Sequence, residues 1–158
     1  MKKSIFLFIA ILVSIIFMQG CKEVTVRGCT DPSSISYDSD ADEDDGSCKY
    51  GGLGGNTKLI VRPKHNGVFV TGIIGYPDSA FIKFNATTSP GDSASAYDFI
   101  QVGMESDYHV GIDSLMPGKY FVFMTGWDSI ANARVFGGVS VLLTQSNGTL
   151  QIDVPVFE

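Results

Sequence analysis

The chain is poor in the groups that catalysis most often uses. Its 158 residues include two histidines, three cysteines and one tryptophan. The 11 Lys and Arg residues form no cluster, so nothing can track a phosphate backbone, and a nucleic-acid partner is excluded. No segment holds a capped apolar period of 3.6 residues, which argues against helix. The one long apolar run, 5–18, is shorter than the roughly 20 residues that a spanning helix needs. Gly91-Asp92-Ser93 has the outline of a serine-nucleophile turn. A nucleophilic serine, however, needs a base within reach and an oxyanion hole. Only His65 and His109 could act as that base, and the polar loop 87–96 has no strand-turn-helix elbow. Copper held by the two histidines with Met116 or Met124 would also need a thiolate. Each cysteine has another use, so no enzyme is expected.

What is present begins with an export signal. Lys2-Lys3, the run 5–18 and Gly20-Cys21 have the order of a basic region, an apolar core and a small-residue cleavage site. Met18-Gln19-Gly20-Cys21 resembles the bacterial lipobox, with Met18 where Leu is usual. That resemblance implies removal of residues 1–20, lipid on Cys21 and attachment to the outer membrane on its periplasmic or cell-surface side. The alternative is an ordinary cleaved secretory signal. Lys22-Glu23 resembles the short charged signal that sends Bacteroidetes-type lipoproteins to the outer face. Residues 21–28 are then anchor and spacer.

The acidic residues are concentrated in one place. Without Lys2 and Lys3 the chain from Cys21 has 17 acidic and 9 basic residues, and seven of the acids lie between Cys29 and Cys48. Outside that loop the balance is 10 against 9. In an oxidising compartment Cys29 and Cys48 form the remaining pair. Closing a loop of this length stabilises by about 3 kcal/mol. Residues 28–50 resemble a Gly-Cys-x-Asp-Pro … Asp-Asp-Gly-Ser-Cys-x-Tyr segment of Bacteroidetes-type surface proteins. Gly28, Cys29, Asp31, Pro32, Tyr37, Ala41, Asp44, Asp45, Gly46, Ser47, Cys48 and Tyr50 match it, and Asp38 and Ser39 depart from it. Asp31, Asp38, Asp40, Asp42, Asp44 and Asp45 offer the oxygen-rich set that Ca²⁺ prefers. Asp38, Asp40, Asp42 and Asp44 alternate much as in thrombospondin type 3 calcium repeats. It is not an EF-hand, because Glu43 falls where the turn glycine belongs and Lys49 where the bidentate Glu does. The competing reading is a solvated acidic spacer.

Residues 51–56, Gly-Gly-Leu-Gly-Gly-Asn, read as a flexible hinge. From 57 to 158 the composition turns to Val, Ile, Phe and Tyr with regular turn residues. Strands are predicted at 58–62, 69–76, 80–85, 98–103, 108–112, 119–127, 134–144 and 149–157. The last alternates Leu150, Ile152, Val154 and Val156 with Gln151 and Asp153, and Pro155 suits an edge. This pattern predicts an all-β chain, one antiparallel sandwich of seven or eight strands behind a small acidic disulfide loop. Leu115-Met116-Pro117-Gly118-Lys119-Tyr120 resembles the Leu-x-Pro-Gly-x-Tyr hairpin of prealbumin-like modules, including transthyretin-like and carboxypeptidase-regulatory-like domains. A type II turn at Pro-Gly is the expected geometry. Such modules are mostly spacers, adhesion repeats or ligand-binding units, so the resemblance implies a non-catalytic role with an envelope protein or a glycan as partner. Trp127, near Tyr120, Phe121 and Phe123, is the candidate sugar contact, although strand aromatics more often fill cores. Asp-Ser-apolar triplets at Ser79, Ser93, Ser114 and Ser129 resemble a Bacteroidetes-type O-glycosylation signal, and each equally fits a turn.

Overall fold

Alternation of apolar and polar residues, period two, organises the chain from residue 53 onward. The computed structural model describes residues 24–91 and 93–158. The export segment, the lipidation candidate Cys21 and Asp92 lie outside the described residues. The strands are β1 (Arg27–Gly28), β2 (Glu43–Asp44), β3 (Leu53–His65), β4 (Val68–Phe69), β5 (Ser79–Phe84), β6 (Phe99–Val102), β7 (Val110–Leu115), β8 (Gly118–Asp128), β9 (Ala133–Leu143) and β10 (Asn147–Pro155), with a single 3₁₀ turn at Ala94–Ala96.

An all-β sandwich results. One sheet places β3 centrally, with β10 on one side and β7 and β4 sharing the other. The second runs β6-β5-β8-β9, antiparallel throughout. Strand β10 departs from the expected antiparallel pairing by lying parallel to β3, Asn147 beside Asn56 through Pro155 beside Lys64. It is an edge, so the missing N–H of Pro155 costs no ladder bond. Between the sheets Leu59, Val61, Ile82, Ile112, Val122 and Met124 are fully buried. Each such aliphatic side chain contributes about 1.5–3 kcal/mol.

Three local expectations need correction. Residues 53–56 are the start of β3 and Gly51 and Gly52 are buried, so the glycine-rich hinge is a packed joint. A Cβ on Gly51 would sit 2.7 Å from the Tyr120 ring, and one on Gly55 2.1 Å from the Leu115 carbonyl. Only glycine lets these backbones approach. The Pro-Gly element is not a hairpin: β7 pairs with β3 and β8 with β5 and β9, so Met116-Pro117 carries the chain across from one sheet to the other. Gly118 does not take the left-handed conformation that a type II turn would require; Ser114 does, at φ 63°. What Gly118 supplies is room, because a Cβ there would lie 2.2 Å from Gly51 Cα. Finally, the strand expected at 69–76 ends at Phe69. Residues 70–78 form a strap, folded on itself where Ile73 and Tyr76 bridge and tied down by Gly72 N–H to Asp107 O at 2.9 Å. Gly72, Gly75 and Pro77 were the signals of that interruption.

Candidate functional site

Strand β8 links two ends of contrasting character. The acidic loop docks at its Gly118 end, and the strap and the cross-strand pair Trp127–Arg134 mark its Asp128 end. Ten rises of about 3.3 Å separate the two by roughly 33 Å.

At the Gly118 end the Cys29–Cys48 disulfide is formed, with the Cα atoms 4.8 Å apart. Buried Ser34 stitches the loop shut, its hydroxyl donating to Lys49 O and accepting from Lys49 N–H, both at 2.9 Å. β1, just before Cys29, pairs in parallel with β2 inside the loop. The aspartates serve their own turns. Asp31 accepts from Ser33 N–H at 2.8 Å, Asp38 from Asp40 N–H at 3.0 Å, Asp44 from Gly46 N–H at 3.1 Å and Asp45 from Ser47 N–H at 2.9 Å. Asp42 accepts from Val26 N–H at 3.2 Å, and Tyr50 Oη donates to the other oxygen of Asp31 at 2.6 Å. The Tyr50 bond holds Asp31 below the usual carboxylate range, and the Ser47 bonds do the same for Asp45. Among the described residues, no three acidic, histidine or cysteine side chains converge as a metal would require. The loop is ordered by its disulfide, its turn bonds and the Arg27–Glu43 ion pair at 3.1 Å, with Asp38, Asp40, Asp42, Asp44 and Asp45 exposed.

The loop is also fastened to the sandwich. Lys119 Nζ donates to Pro32 O. Gly51 N–H donates to Asn85 Oδ1 at 2.7 Å, and Gly52 N–H to Tyr120 Oη at 2.9 Å. Tyr120 Oη in turn donates to Met116 O at 2.6 Å, and Met116 N–H to Gly52 O at 2.9 Å.

At the Asp128 end, His65 is buried and pairs through Nδ1 with Asp128 Oδ2 at 2.7 Å, which holds Asp128 below its ordinary range. His109 pairs with Asp107 at 3.1 Å. Each histidine therefore faces a carboxylate, and the Ser93 hydroxyl meets that of Ser95 at 2.8 Å. Asp78 is 1% exposed and neither carboxylate oxygen has a hydrogen-bond partner among the described residues. Burial, with the Asp107 charge second, pushes its carboxyl up to about 7.

The outer face of the β6-β5-β8-β9 sheet should be polar if it only met water. It presents Phe81, Phe123 and Phe136 in edge or tilted contact, capped by Tyr97. Phe136 and Leu142 on β9 are 48% and 56% exposed, and Ile100 and Val102 are exposed on β6 at the opposite edge. Trp127 is half-buried, with Tyr76 stacked 5.3 Å from it, centroid to centroid. Tyr76 is 58% exposed and is the aromatic that a ligand would meet. The sequence reading placed it inside a strand and missed it. Of the glycosylation candidates, Ser93, Ser114 and Ser129 are exposed, while Ser79 is half-buried on β5 after buried Asp78. Compared with known proteins, the chain matches no family model, no curated protein and no solved structure.

Proposed function

We propose that the chain is a lipid-anchored, non-catalytic interaction module of the outer membrane, held by Cys21 and presenting its aromatic sheet face to an envelope partner. The apolar outer face of the second sheet carries this reading, since exposed Phe136 and Leu142 on edge strand β9 and Ile100 and Val102 on the opposite edge β6 flank the Phe81 and Phe123 rings and leave apolar area without an internal use. The Met18-Gln19-Gly20-Cys21 motif supports the anchor. The docked acidic loop then acts as a short, stiff mount, and the sandwich is assigned to the prealbumin-like type on the Leu-x-Pro-Gly-x-Tyr element. Calcium enters as a weak ligand of the exposed carboxylate rim at Asp38, Asp40, Asp42 and Asp44, since Asp38, Asp42 and Asp44 each already accept from a backbone N–H.

Metabolic labelling with an alkynyl fatty acid tests the anchor. Wild type should take up the tag and Cys21→Ser should not, whereas equal labelling of the two would overturn it. Crosslinking in native membranes tests the face: Phe136→Asp should remove the adduct that wild type forms, and an unchanged adduct would contradict the assignment. The second reading, a carbohydrate-binding accessory module, is favoured by the Tyr76–Trp127 pair.

A further inference from the structure

We propose that the trough between Tyr76 and Phe136 binds an acidic polysaccharide, with Arg134 gripping the anionic group of one sugar residue. This deepens the carbohydrate reading and rests on it. The β8–β9 register sets Trp127 opposite Arg134 and Thr125 opposite Phe136, so aromatic, cationic and hydroxyl side chains share one face. Two depressions of about 260 and 340 Å³ lie there and have Thr125 and Arg134 in common. Tyr76 walls one end, and Phe123 and Phe136 the other. Aromatic walls at both ends of an open trough suit the flat C–H faces of successive sugar rings.

Arg134 decides the ligand's charge. It has no ion pair among the described residues. The nearby acid in sequence, Asp128, is already held by His65 at 2.7 Å and by the Ile130 and Ala131 amides at 2.7 and 3.0 Å. An exposed guanidinium is a planar fork of donors that fits a carboxylate or sulfate in two parallel bonds, roughly twice as strong as bonds to neutral hydroxyls. The net negative charge of the chain does not oppose this. Seven acids sit in the 29–48 loop, at the other end of β8 and several screening lengths of about 8 Å away.

Affinity electrophoresis of the full mature chain in detergent tests the proposal, with polygalacturonate, dextran sulfate or neutral dextran cast into the gel. Retardation by at least one charged polymer and none by dextran is expected, and comparing the two charged polymers separates carboxylate from sulfate recognition. Arg134→Gln and Tyr76→Ala should each weaken it tenfold or more; Arg27→Gln, in the spacer just before the acidic loop, should leave it unchanged. Retardation by dextran that Arg134→Gln does not alter would overturn the acidic specificity and leave the carbohydrate reading standing. No retardation by any polymer would overturn both. Equal losses in Arg27→Gln and Arg134→Gln would mark diffuse charge attraction and sink the site.

Discussion

The two ends of β8 differ in whether a deeply buried polar group goes unpartnered. Where the acidic loop docks, the buried Tyr120 hydroxyl is tied to Gly52 and Met116, and glycines at 51, 55 and 118 let backbones touch. At the other end His65 is paired with Asp128, but Asp78, at the end of the strap, is as deeply buried and has no hydrogen-bond partner among the described residues. Surface character follows the same division: carboxylates capping their own turns at one end, aromatics and an arginine without an ion pair among the described residues at the other. Unused binding potential gathers away from the mount. This is the distribution expected if the mount must be stiff and the far end must bind.

The packed joint can be broken most severely. Gly55→Val forces a branched side chain onto the Leu115 carbonyl, and overpacking of this kind costs about 3 kcal/mol. The melting temperature should fall by roughly 10–20 °C. An unchanged value by calorimetry would mean that residues 51–56 are free chain after all.

Asp78 sharpens the contrast through pH. Its folded carboxyl, pushed up to about 7 from 3.8, holds a proton that the unfolded chain has already released. Its contribution is therefore complete below about pH 4, falls as pH rises and is gone above about 7. Between pH 5 and 8 wild type should lose on the order of 2 kcal/mol in urea unfolding. Asp78→Asn should flatten that limb, and parallel slopes in the two proteins would contradict the assignment. The acids of the loop act with the opposite sign. The hydrogen bonds that lower Asp31 and Asp45 stabilise above their unfolded range and are lost on acidification.

The smallest effect is calcium. Isothermal titration of the mature chain, disulfide intact, should give a dissociation constant on the order of 10⁻⁴–10⁻³ M without moving the sandwich melt. Absence of heat to several millimolar would leave the loop a solvated mount.

How much of this was legible in the sequence varies with how local the cause is. Strand β10 was plain because Leu150, Ile152, Val154 and Val156 carry their own period. The Cys29–Cys48 pair was plain because few thiols were available. The glycine joint was not, since Gly51-Gly52 reads alike whether loose or packed. Its meaning comes from Tyr120, Leu115 and Gly118, 60 or more residues away along the chain. Gly118 was read for turn geometry when its use is contact. At the far end Asp78 read as part of a turn triplet, and nothing local announces its burial. Tyr76 was hidden by an apolar run that Gly75 and Pro77 interrupt, and Arg134 stands out only once the partners of the other charges are known.

Native-state amide hydrogen exchange, read residue by residue, compares the two ends in one experiment. If the loop is mounted on a rigid joint, Gly52 and Met116 should show protection equal to that of the β8 core amides. Gly72 and Ser106, whose amides tie the strap to the 104–107 turn, should be at least tenfold less protected. Gly52 and Met116 exchanging as fast as exposed chain, with the strap amides protected like the core, would contradict the account.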